Sequence, residues 1–103
     1  MKTIILTAAA AVTLSLSLGT TAQAGALENA CQQGGRTTDT GLCRCIQQVA
    51  DITLSNRDQR RAAKFFTDPD QAQIVRSSDR PSDEDFWARY KNFVSAAEGY
   101  CSN

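Results

Sequence analysis

Histidine is absent from this chain. That removes the commonest general base near neutral pH, the Ser-His and Cys-His nucleophile pairs, and most zinc sites. Charge imbalance is absent too: eleven Lys and Arg stand against eleven Asp and Glu, so no global field points to a nucleic acid or a membrane surface. No stretch alternates polar and apolar residues as a half-buried strand does, so no Gly-rich phosphate loop follows a strand. The carboxylates that lie close together, Asp68 with Asp70 and the run Asp83, Glu84, Asp85, stand where helices are expected to begin. Helix starts favour negative charge, which accounts for these groups without acid–base catalysis. No catalytic residue, metal ligand or cofactor is assigned, and the chain reads as non-enzymatic.

A long apolar run is also lacking. Ile4 to Leu18 is apolar apart from Thr and Ser, and these fifteen residues fall short of the roughly 20 that a spanning helix needs. Lys2 precedes the run and the small-residue pattern Ala22-Gln23-Ala24 follows it, the arrangement of an export signal with its cleavage site. Residues 1–24 are therefore expected to be removed, leaving a single domain of residues 25–103 that is periplasmic or secreted, with no membrane span. Ala24-Gly25-Ala26 fits the same pattern, so Leu27 is a second possible start. No cysteine stands at the cleavage point to carry a lipid anchor.

All four cysteines, Cys31, Cys43, Cys45 and Cys101, lie beyond the signal. A domain this short has a thin core, and an even cysteine count in an exported chain is the usual remedy. Cys43 and Cys45 are about 200° apart around a helix, so they cannot bond each other within it. Two pairings remain: Cys31 to Cys43 with Cys45 to Cys101, or Cys31 to Cys45 with Cys43 to Cys101. The first is favoured because Cys45 lies beside the apolar Ile46 and Val49. A redox or metal role for the Cys43-x-Cys45 pair is the competing reading, since Arg44 can lower a neighbouring thiol pKa.

The remaining pattern is helical. Leu27, Ala30 and Cys31 share one face of a short helix that ends at Gly34-Gly35, and Arg36 to Gly41 reads as a polar loop. From Leu42 to Leu54 the residues Leu42, Cys45, Ile46, Val49, Ala50 and Thr53 recur at helical spacing, opposite Arg44, Gln47, Gln48 and Asp51. Ser55 is placed to cap a helix from Asn56 to Phe66 that buries Ala62, Ala63, Phe65 and Phe66, and Asp58 suits its first turn. Asp68-Pro69 signals another start, for a helix carrying Ala72 and Val75 to about Arg76. Ser82 with Asp85 resembles a capping box for a last helix to Tyr100. On that helix Phe86, Tyr90, Phe93, Val94, Ala97 and Cys101 form one stripe, with Trp87 and Tyr100 at its edges.

Arg57, Arg60, Arg61 and Lys64 follow i, i+3, i+4, i+7 spacing, so four cations share one helix face that could meet a phosphate, a carboxylate or an anionic surface. No aromatic residue interleaves them as nucleic-acid binding tends to require.

The string Cys43-Arg-Cys-Ile-Gln-Gln-Val-Ala-Asp-Ile-Thr-Leu-Ser-Asn-Arg-Asp-Gln-Arg-Arg-Ala-Ala-Lys-Phe-Phe66, followed by Asp68-Pro69 and by Phe86-Trp-Ala-Arg-Tyr90 up to Cys101, resembles a group of short, exported, mostly uncharacterised alphaproteobacterial proteins. Some of them carry an automatic label of arginine transporter. The resemblance covers nearly the whole chain beyond the signal and brings no functional residues with it. What the label implies is at most an accessory to transport, because the domain is far smaller than a two-lobed solute-binding protein.

These readings predict an all-α domain of four or five short helices, stapled by two disulfides. The expected function is that of an interaction or envelope-associated module whose partner is a protein or a small anionic ligand. Two alternatives stand beside it: a carrier for a small anion or an amino acid such as arginine, and a thiol–disulfide redox protein.

Overall fold

The computed structural model describes residue 3, residues 25–34 and residues 37–102. The expected signal, residues 1–24, lies outside them apart from Thr3. The described residues form five helices, α1 (Ala26–Gln33), α2 (Thr40–Thr53), α3 (Asn56–Thr67), α4 (Asp70–Arg76) and α5 (Pro81–Cys101), and contain no strand. Among them no helix is long and apolar enough to cross a membrane.

Short helices depend on their ends, because the first backbone N–H groups have no partner within the helix. Ser55 caps α3, its hydroxyl accepting the Asp58 N–H at 3.1 Å. Asp39 does the same for α2 through the Leu42 N–H at 3.1 Å. That cap extends α2 two residues into the stretch expected to be loop, and Gly41 is helical. Two other expected caps are replaced. Pro69 is the N-cap of α4, and Asp68 contributes a backbone carbonyl to the Gln71 N–H. Pro81 opens α5, which places Ser82 inside the helix, with no side-chain cap bond at the N-cap residue Arg80. The polar work at this end falls to Ser78, which accepts the Arg80 N–H and donates to Asp83 Oδ2 at 2.6 Å.

Helix α1 packs against α2 and α3, and α2 packs along α5. The α1–α3 approach is close: a Cβ at Gly34 would lie 2.9 Å from the Phe66 carbonyl oxygen. The core formed between these elements contains Leu27, Val49, Ala50, Leu54, Ala62 and Phe65, together with Val75 of α4 and Phe86 and Phe93 of α5.

Phe65 is the wedge that α3 drives into the aromatic stripe of α5. Its ring meets Tyr90 edge-on at 4.9 Å and Phe86 at 5.9 Å between centroids, both arrangements that the ring quadrupoles favour. Tyr90 continues the cluster to Phe93 at 6.1 Å.

The sulfurs pair Cys31 with Cys43 and Cys45 with Cys101, at Cα separations of 5.5 and 5.9 Å. The first bridge is buried and joins α1 to α2, while the second is half-buried and fastens the end of α5 to α2.

Helix α2 departs from its expected amphipathic pattern at Gln47, placed on the polar arc by spacing but buried in the structure. Its Oε1 accepts the N–H groups of Leu27 and Glu28 at 2.9 and 3.0 Å, and its Nε2 donates to Asp51 Oδ1 and Gln59 Oε1, both at 2.8 Å. Gln59 Nε2 in turn donates to the carbonyls of Ala50 and Leu54. Burial of both amides is compatible with stability because their hydrogen bonds replace those to water.

Truncation of the aromatic wedge, Phe65→Ala, is expected to lower the unfolding free energy by about 3–5 kcal/mol, read from urea denaturation of the oxidised protein. A loss below about 1 kcal/mol would show that α3 is held by something other than this ring.

Candidate functional site: the cationic face of the third helix

The side of α3 away from Ala62 and Phe65 carries the four cations singled out by spacing, and the structure divides them. Arg57, Arg60 and Lys64 are exposed, and none takes part in an ion pair or a hydrogen bond through its side chain among the described residues. Arg61 is different. Its guanidinium lies over the Phe86 ring, 4.4 Å from the centroid, and donates to Asp83 Oδ1. A guanidinium is delocalised and weakly hydrated enough to stack on an aromatic face while its N–H groups meet a carboxylate. Arg61 therefore belongs to the α3–α5 contact, and the outward-facing set is Arg57, Arg60 and Lys64.

Asp83 receives two donors, and both favour its charged form. The Ser78 hydroxyl, acting most strongly, and the Arg61 guanidinium hold its carboxyl below the usual carboxylate value of 3.8. On the same flank Asp58, buried near the start of α3, accepts from Arg89 Nε at 2.6 Å and from Nη2 at 3.2 Å. This two-pronged bond raises the Arg89 pKa and fixes the first turn of α3 against α5. A polar cleft of about 450 Å³ runs among these groups, with Arg57 and Asp85 also among its lining residues. Three arginines, Arg57 included, and three aspartates line the cleft, so it carries no net charge, and Arg57 belongs both to this cleft and to the exposed cationic edge with Arg60 and Lys64.

The sequence candidates at sulfur are apart from this face. Cys43 and Cys45 are bonded to separate partners, and no cysteine among the described residues is free. Among those residues no group of three or more Cys, Asp or Glu is placed to hold a metal ion.

Two features escape sequence reasoning. The Asp58–Arg89 pair spans 31 positions, and long-range polar contacts leave no periodic trace. The second is an apolar groove of about 600 Å³ where α2 meets α5, lined by Leu42, Ile46, Phe66 and Val94, with Asp39 and Glu98 as its charged members. Its signal lies in the stripe of α5, which extends beyond what α2 and α3 cover: Phe93 is 2% exposed while Val94 and Ala97 remain half-buried.

No protein-family model matches the chain, and neither a curated protein nor a solved structure does.

The depressed pKa of Asp83 fixes the sign of a pH effect. A carboxyl whose folded pKa lies below its unfolded value adds stability above the unfolded pKa, and the contribution is lost as pH falls through the folded pKa. The difference in melting temperature between the native chain and Asp83→Asn is therefore expected to be widest near roughly pH 6 and to close towards about pH 2. A difference independent of pH would show that the Asp83 charge is not what Ser78 and Arg61 recognise.

Proposed function

We propose that this chain is a non-enzymatic, exported interaction module of the cell envelope, periplasmic or secreted, that engages an anionic partner through Arg57, Arg60 and Lys64. The observation that carries the reading is the division of the stripe: three cations stand exposed on one helix face without ion pairs, on a helix locked in place by its Ser55 cap, its Phe65 wedge and the Asp58–Arg89 bond. The seven rises from Arg57 to Lys64 span roughly 10 Å, so the three side chains form a short charged edge.

Such an edge suits a surface carboxylate or phosphate cluster, which arginine can grip through paired N–H donors. Exposed pairs of this kind are individually weak, so the partner must supply several anionic groups at once. Export is supported by the disulfides, which persist in oxidising compartments, and by the signal pattern of residues 1–24. The missing histidine and the structural employment of the sulfurs and clustered carboxylates support the non-enzymatic part of the reading.

A second reading, a carrier for a small ligand and an accessory to transport, is favoured by the apolar groove between α2 and α5, whose volume suits a small molecule. Asp39 and Glu98 there suit a cationic compound such as arginine better than an anion.

One comparison separates the readings. Replacing Arg57, Arg60 and Lys64 by Glu, with Arg61 left intact, is expected to abolish co-purification of periplasmic partners while leaving the melting temperature within about 3 °C of the native protein. Unchanged partners would remove the cationic face from consideration. Thermal stabilisation by arginine, with none by citrate or phosphate, would favour the groove.

A further inference from the structure

The sequence offers two starts for the exported chain, Gly25 and Leu27, and the environment of α1 distinguishes them. Leu27 is fully buried, and its backbone N–H donates to Gln47 Oε1. Gly25, immediately before the helix, is the N-cap residue, and its carbonyl accepts the Asn29 N–H at 3.0 Å. The Gly25 backbone also lies against the Gln47 amide: a Cβ there would fall 2.2 Å from Gln47 Cδ. Gln47 cannot swing aside cheaply, since both ends of its amide are engaged by α1, Asp51 and Gln59.

We infer that the folded domain is built around an amino terminus at Gly25, with the buried Gln47 amide fixing the first turn that follows and leaving room for glycine alone at position 25. The inference rests on the export reading and names the product that processing must leave. A signal peptidase would add water across the bond preceding Gly25, leaving a carboxylate on the released leader and an ammonium on Gly25. That ammonium lies one residue outside the helix, with Glu28 in the first turn.

Cleavage two residues later has three physical costs. It deletes the N-cap carbonyl, removes the packing of Ala26 against the core, and converts the amide of fully buried Leu27 into an ammonium. A charge forced into the fully buried position of Leu27 is expensive without a charged partner. Glycine at position 25 follows from the same contact, because any side chain would displace the Gln47 amide from its partners.

The test uses the full chain, exported and purified. The intact mass is expected to match residues 25–103. Deleting Gly25 and Ala26 from the full chain puts Leu27 directly after Ala24, and the resulting product is expected to melt about 5 °C or more below the native one. Gly25→Ala is expected to lower the melting temperature by several degrees with Gln47 present, and by about 1 °C or less in a Gln47→Ala background, where the clash is gone. A native product beginning at Leu27, equal stability of the two products, or additive effects of Gly25→Ala and Gln47→Ala would overturn the inference. An unprocessed mass would refute the export reading on which this inference rests, whereas an exported product beginning at Leu27 would refute the inference alone.

Discussion

Helix α2 is held on opposite sides by covalent bonds, and the positions of the other helices follow from that constraint. Cys43 ties it to α1 and Cys45 ties it to the last turn of α5. Because the two sulfurs are about 200° apart around the helix axis, the bridges pull in different directions and fix its rotation as well as its position. Their sequence separations, 12 and 56 residues, correspond to about 3 and about 4 kcal/mol of chain entropy removed from the unfolded state. Typical domain stabilities are about 5–15 kcal/mol, so oxidation makes up a large share of what keeps this fold together. The buried Gln47 and Gln59 amides add a polar bridge from α2 to α1 and α3, so three neighbours refer to the same helix.

What the scaffold leaves outward follows from what it draws inward. The wedge of Phe65 brings α3 onto α5, and that approach places Arg61 over Phe86 and beside Asp83. One of the four stripe cations is thereby committed to the fold, and the three that remain form an edge with no internal partner among the described residues. The groove between α2 and α5 arises from the same geometry, since Cys45–Cys101 closes the helix pair at one end while the aromatic stripe runs past the residues that cover it. The outward surface thus carries a charged edge and an apolar concavity.

Helices and apolar faces were legible because they are local and periodic. The stripe of α5, the inward face of α3 and the Ser55 cap all depend on residues within a few turns of one another. The first two residues of α2 leave no such trace, because Asp39 is an ordinary polar residue in a polar stretch until its carboxylate meets the Leu42 N–H. The capping box at Ser82 was misread because Pro81 also begins helices well, and the earlier start won. Gln47, Asp58 and Arg61 were each read from their own helix as solvent-facing or dipole-facing, yet each is claimed by a partner at least 12 positions away. Spacing within one helix carries no information about such partners. The pairing of sulfurs was narrowed to two arrangements by the divergence of Cys43 and Cys45.

The pairing is also where the account is most exposed to direct measurement. Arg36, Arg44 and Lys91 divide the chain so that tryptic digestion without reductant places each cysteine on its own peptide, Cys43 on residues 37–44 and Cys45 on residues 45–57. Mass spectrometry of that digest is expected to find the 37–44 peptide joined to the one carrying Cys31, and the 45–57 peptide joined to the one carrying Cys101. The crossed pairing, or free thiols on Cys43 and Cys45, would contradict an α2 clamped from both sides.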